Sequence, residues 1–180
     1  MLNLPQEVFL ETGGFYFGGG RTRIRTLLGS CVAITLWHPK RLIGGMCHYL
    51  LPKVADGTTD DSVEGLYADR AVQMFMRELT KMGTTPNEYE VKVFGGGNML
   101  RRPVGVESGR FPIRDIAGQN VSAARDLLAA AGFNIVKQDT GGAGSRQIIL
   151  ELWSGAVWLR RGPVEPVFGL KMPEGQRACG

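Results

Sequence analysis

No stretch of about eighteen apolar residues occurs in this 180-residue chain, so a membrane-spanning helix is not expected. The opening residues, Met1 to Glu7, lack a basic segment followed by an apolar run, and the chain is expected to stay in the cytoplasm without inserting into a membrane. Cysteine is scarce. Cys31, Cys47 and Cys179 are an odd number at no metal-ligand spacing, which argues against a disulfide framework and a zinc site. The absence of any Cys-x-x-Cys pair weakens a thiol-redox role, and no metal or cofactor is expected. Charge of neither sign dominates: the formal net charge is +4 and the pI is near 9.1. That balance suits an acidic protein surface, nucleic acid or anionic lipid about equally. No aromatic-and-basic platform supports nucleic acid, which is not expected as a partner. Gly95-Gly96-Gly97 lacks the lysine and hydroxyl residue of a phosphate-binding Walker segment and reads as a turn, one that could line a cleft.

What is present fits one core. With 43% apolar residues over 180 positions, the chain suits a single domain, taken as residues 1–161. The tail, residues 162–180, has three prolines and few apolar anchors and is expected to be mobile. Residues 32–37 and 42–50 read as apolar strands around the turn-forming His38-Pro39-Lys40-Arg41. Pro39 has a fixed negative φ and cannot open a type I′ or II′ turn, so a four-residue loop centred between Pro39 and Lys40 is expected. Val72, Phe75, Met76, Leu79 and Met82 recur at helical spacing and predict a helix over 66–82, stopped by Gly83. A second helix is expected from Asn120 as N-cap to Gly132, with strands at 90–94 and 134–136 on either side. Residues 147–153 and 156–160 flank Ser154-Gly155, the spacing of a two-residue hairpin. These elements imply an α/β layered domain with a mixed, largely antiparallel sheet and two main helices.

The first hairpin carries the chemistry. A loop centred between Pro39 and Lys40 sets Cys31 opposite His48, with Cβ atoms about 4.5–5.5 Å apart, where a thiolate–imidazolium pair would form. Ala33 would oppose Met46 and Thr35 would oppose Gly44. Val32, Ile34, Leu36, Ile43 and Cys47 would fill the greasier face, where Cys47 is an inert hydrophobe. The alternative is a buried structural cysteine and a core histidine bonded to a backbone carbonyl. The amides around Gly29, Ser30 and Cys31 lie where an oxyanion needs donors, although Gly29 could equally serve a tight bend. Arg21, Arg23 and Arg25 alternate with Thr22 and Ile24, so a strand would project them on one side. They could dock acidic helices or favour the thiolate, or simply form a solvated outer face.

Thr26-Leu-Leu-Gly-Ser-Cys-Val-Ala33 followed by Gly44-Gly-Met-Cys-His-Tyr-Leu-Leu-Pro52 closely resembles the paired signature segments of the CheD chemoreceptor glutamine deamidases. Phe94-Gly-Gly-Gly-Asn-Met99, Asp115-Ile-Ala-Gly-Gln-Asn120 and Asp139-Thr-Gly-Gly-Ala-Gly-Ser-Arg146 look like further blocks of that family in the same order. The resemblance implies Cys31 as nucleophile, His48 as base and an upstream threonine completing the triad. Some members carry one more residue between threonine and cysteine, which would align Arg25, leaving Thr26 as the nearest hydroxyl. It also implies a fold related to the catalytic domain of cytotoxic necrotizing factors. Conversion of receptor glutamines to glutamates through a cysteine thioester follows from it, with receptor methylesterase activity as a second outlet. Implied partners are chemoreceptor cytoplasmic domains and a CheC-type phosphatase. A non-catalytic regulator binding those partners is the alternative.

Overall fold

Alternation along each strand decides which layer it occupies. Thr22–Leu28 (β3) alternates buried threonine, isoleucine and leucine with outward Arg23, Arg25 and Leu27, as a strand with one covered face does. Val32–His38 (β4) and Ile43–Tyr49 (β5) are buried along nearly their whole length because both their faces are covered. The computed structural model describes residues 4–54, 61–99 and 115–162. The expected mobile tail, with Cys179, lies outside the described residues from 163 onward.

The remaining elements are Gln6–Phe9 (β1), Phe15–Gly19 (β2), Ala68–Met82 (α1), Glu90–Gly95 (β6), Ile116–Ala130 (α2), Ile135–Thr140 (β7), Arg146–Glu151 (β8) and Val157–Arg161 (β9). The expected α/β layering with two main helices holds, but the strands divide between two sheets. One is four-stranded, ordered β1-β3-β8-β9, and the other five-stranded, ordered β2-β5-β4-β6-β7. Both are mixed: β1 pairs parallel to β3 and β6 parallel to β7, and the other pairings are antiparallel. Val32, Ile34, Leu36, Cys47 and Tyr49 on one face of the five-stranded sheet pack with Phe75 and Leu79 of α1 and Leu128 of α2. The opposite face, through Ala33, Met46 and Phe94, meets Ile24, Leu28, Ile148 and Leu150 of the four-stranded sheet. Each large apolar side chain fully buried there contributes about 1.5–3 kcal/mol. The layers therefore run helices, five-stranded sheet, four-stranded sheet.

Three boundaries depart from the sequence reading. In the first hairpin His38 pairs with Ile43 and Ala33 with His48, so the loop is Pro39 to Leu42, one residue later than expected. The cause is His38. Its ring is buried edge-on against Tyr89, 5.1 Å between centroids, and its Nδ1 accepts from the Lys40 and Arg41 amides, which keeps it in the strand instead of the turn. The Leu42 amide donates to the His38 carbonyl, and Leu42 takes a left-handed φ of 54° to close the loop. The last hairpin uses the same device: Leu150 pairs with Val157, and the Gly155 amide donates to the Glu151 carbonyl. Its loop therefore has four residues, not Ser154-Gly155 alone.

The first helix ends as expected at Gly83 in the left-handed conformation. The second begins earlier than expected, because Asp115 is its cap, accepting from the Gly118 amide at 2.9 Å. Asn120 thus lies inside α2, fully buried.

Candidate active site

The corrected register moves Cys31 two residues away from direct opposition to His48, whose partner across the ladder is Ala33. A shift of two preserves the face, since side chains alternate with period 2. Cys31, just before β4, packs with Ala33 and Met46 on the side turned to the four-stranded sheet, and His48 points the same way. Cys47 faces the helices instead.

Thr26 reaches His48 from the other layer. It lies on the inward face of β3, and its Oγ1 is 2.8 Å from His48 Nδ1 and 2.6 Å from the Leu10 carbonyl oxygen. A hydroxyl has one proton. Since the Leu10 carbonyl can only accept, Thr26 donates to it, and His48 Nδ1–H donates to Thr26. The imidazole is thereby held as the Nδ1–H tautomer, leaving Nε2 with a free lone pair.

Residues 10–14, between β1 and β2, strap the histidine in place. The Gly13 amide donates to the His48 carbonyl at 2.7 Å, and the His48 amide donates to the Gly14 carbonyl at 2.9 Å. This brings the exposed Thr12 hydroxyl to 3.5 Å from Nε2 and into hydrogen-bonding contact with the Cys31 thiol.

Burial disfavours the charged form of both groups. It pushes the Cys31 thiol above its ordinary value, against the opposing pull of Thr12 and the residue's own amide. It lowers the His48 imidazole, against the Leu10 carbonyl. Both shifts favour the uncharged forms, a thiol and a neutral imidazole, over the expected thiolate–imidazolium pair. Cys47, fully buried, is pushed up to about 12. Cys47 is thus held as the thiol form that does not react, and it is sealed from solvent. Iodoacetamide applied to the native protein is expected to modify Cys31 and leave Cys47 free, as read by peptide mass spectrometry.

The segment bearing Cys31 is pinned through its carbonyls. The Cys31 carbonyl accepts from the Gly96 amide at 2.7 Å, the Gly29 carbonyl from the Gly97 amide at 2.8 Å, and the Ser30 carbonyl from Asn120 Nδ2 at 3.3 Å. Gly95, at φ 111°, lies so close to the Cys31 carbonyl that a Cβ there would collide with it. The Gly95-Gly96-Gly97 turn thus lines the site, as a backing for Gly29, Ser30 and Cys31.

Residues 50–161 match the family described as CheD chemotactic sensory transduction. A Dechloromonas aromatica protein named "Probable chemoreceptor glutamine deamidase CheD 3" is 44% identical over 85% of this chain and 86% of its own length. The chain belongs to the CheD family. A Pseudomonas fluorescens protein named "Probable chemoreceptor glutamine deamidase CheD" is also 44% identical, covering 88% of this chain and 86% of that one. A Pseudomonas syringae pv. syringae protein of the same name is 42% identical over 97% of this chain and 95% of its own. Among solved structures, the hypothetical protein YfiH of Bacillus licheniformis covers 72% of this chain and 49% of its own, at 14% identity and TM-score 0.40.

Sequence reasoning placed Cys31, His48, Thr26, Gly29 and Ser30 together in this CheD-family chain, but it missed other members of the site. Thr12 gave no signal, lying in a short turn. Asn120 was read as a helix cap, when its carboxamide bonds Leu50 and Ser30. Arg146, with no role assigned from spacing, is fully buried, bonds Asp139 at 2.7 Å and the Gly141 carbonyl, and packs behind Gly97. Arg21, Arg23 and Arg25 lie on the outer face of the four-stranded sheet, opposite to Thr26, over Trp153 and Phe9. Arg23 is tied to Glu151 at 2.8 Å. A role in favouring the thiolate is therefore set aside.

Proposed function

We propose that this chain is a cytoplasmic protein-glutamine deamidase acting on chemoreceptor cytoplasmic domains, with Cys31 as nucleophile, His48 as general base and acid, and Thr26 as the residue that orients the base. The observation that carries the reading is the Thr26–His48 bond, which leaves Nε2 unprotonated and turned to Thr12, the residue whose hydroxyl also bonds the Cys31 thiol. In addition, the names of the CheD relatives state this activity.

The thiol proton passes to Nε2 as sulfur attacks the carbonyl carbon of a glutamine side chain. The resulting oxyanion is met by the amides of Ser30 and Cys31, in the segment that Gly29 brings close. His48 then gives its proton to the departing nitrogen and ammonia leaves, so a thioester remains on Cys31. Water loses a proton to Nε2 and adds to the thioester, the thiolate leaves and takes that proton back, and the glutamine has become glutamate. A glutamate methyl ester presents the same acyl carbon, so methylesterase activity belongs to the same proposal.

Receptor cytoplasmic fragments incubated with the protein and mapped by mass spectrometry are expected to show specific glutamines converted to glutamates. No conversion by a folded protein would end the reading. A regulator binding a CheC-type phosphatase would require neither a tautomer-locked histidine nor a partly exposed thiol on the same face of the sheet, and that arrangement favours the enzyme.

A further inference from the structure

Three consecutive carbonyl oxygens, those of Gly29, Ser30 and Cys31, accept hydrogen bonds, two from the Gly96-Gly97 turn and one from α2. In a trans peptide the carbonyl of one residue and the amide of the next point in opposite directions. Fixing the Gly29 carbonyl therefore fixes the direction of the Ser30 amide, and fixing the Ser30 carbonyl fixes that of the Cys31 amide. Two of the three anchors, Gly96 and Gly97, are backbone groups. The third is a side chain, Asn120.

Asn120 is fully buried within α2, and its Nδ2 donates to the Leu50 carbonyl at 2.7 Å as well as to the Ser30 carbonyl at 3.3 Å. Leu50 follows His48 by two residues. One carboxamide thus ties the segment bearing the thiol to the end of the strand bearing the imidazole. The helix holds this side chain firmly, because the Tyr49 hydroxyl donates to the Asn120 backbone carbonyl at 2.6 Å. Asn120 Oδ1 is buried and has no hydrogen-bond partner among the described residues. Asparagine is an indifferent helix former, and leaving its acceptor dry costs free energy. The residue's two donor bonds to the site are what it contributes in return.

We propose that Asn120 is a positioning residue for acyl transfer: by holding the Ser30–Cys31 peptide plane, it aims the Cys31 amide at the oxyanion. The proposal rests on the deamidase reading and adds to it the group that sets the oxyanion donor.

The test compares Asn120→Asp and Asn120→Leu with the wild-type full chain on a receptor cytoplasmic fragment. Folded fraction is followed by near-UV circular dichroism and urea titration. Both variants match asparagine in size, but an ionised aspartate and a leucine lack the donor. The leucine variant, and the aspartate variant once its carboxyl ionises, are expected to lose about 10²-fold in kcat per folded molecule, with KM little changed. In acid the two part company. A protonated aspartic acid regains an O–H that can donate to the Ser30 or Leu50 carbonyl. The ratio of Asn120→Asp to wild-type turnover then climbs as pH falls through that carboxyl's own value, which burial between two carbonyl oxygens raises above the ordinary carboxyl range, while the leucine ratio stays flat. An unchanged kcat, a flat ratio for the aspartate variant, or a loss that only tracks the folded fraction overturns the role of Asn120. A folded wild type without turnover overturns the deamidase reading and this proposal with it.

Discussion

Replacing Cys31 with alanine is expected to lower receptor-glutamine conversion by about 10⁴-fold or more, since no other group can form the acyl intermediate. His48→Gln should approach the same loss, because residues that act as one unit do not contribute additively. Thr26→Val removes the hydroxyl acceptor for Nδ1–H and loosens the hold on the ring's tautomer. Its expected cost is about 10- to 100-fold in kcat, the equivalent of one buried bond, with Thr26→Ser largely retained. The pH profile carries a separate signature. Because burial lowers the His48 imidazole, the acid limb of kcat/KM should fall below pH ~6.5, the ordinary histidine value. Turnover measured by mass spectrometry on folded protein decides the matter. Conversion surviving in Cys31→Ala would exclude the thioester route.

Asp139→Ala is expected to destabilise the fold by about 3–5 kcal/mol, the usual cost of leaving a buried charge without its partner. Arg146 is 1% exposed and bonds Asp139 through Nε at 2.7 Å, whereas Arg161, on the same carboxylate at 2.8 Å, is 61% exposed and can turn to water. With the carboxylate gone, Arg146 keeps the Gly141 carbonyl, and its Nη1 already has no acceptor among the described residues. For a chain of this size the melting temperature should drop on the order of 10 °C. Burial alone would raise the Asp139 carboxyl, but bonds from Arg161 and Arg146 hold it below its ordinary value. A carboxylate depressed in the folded state stabilises fully above the unfolded value, about 3.9, and that stabilisation is lost as pH falls through the folded value. The gap between wild type and Asp139→Ala in urea titrations should therefore be widest near neutrality and close in strong acid. A gap that persists undiminished there would mean the ion pair is not its source.

The sequence revealed which face the reacting groups share, but not their separation. A register error of two residues leaves every side chain on its own face, so Cys31 and His48 were assigned to one side despite the misplaced loop. The loop was misplaced because His38 beside Pro39 looks like a turn residue. Only the packing of its ring on Tyr89, about fifty positions later, holds it in the strand. Likewise Ser154-Gly155 gave the site of the second turn but not its length, since Gly155 closes a four-residue loop from its last position. The split into two sheets was hidden because pairing across distant segments, such as Thr26 with Ile148, leaves no local trace. Thr26 could be singled out as a hydroxyl near the cysteine in sequence. That it crosses the gap between layers to meet an imidazole depends on this sandwich. The arginine strand shows the converse: alternation correctly put all three guanidiniums on one face, and the fold turned that face outward.

The imidazole and the hydroxyl that orients it belong to different layers, His48 to the five-stranded sheet and Thr26 to the four-stranded one. A nascent or clipped chain with only one layer in place would hold a sulfhydryl beside a ring free to choose either nitrogen for its proton. Under the proposed mechanism, competence would thus be withheld until the sandwich closes, keeping the thiol from acting on bystander proteins before the fold is complete.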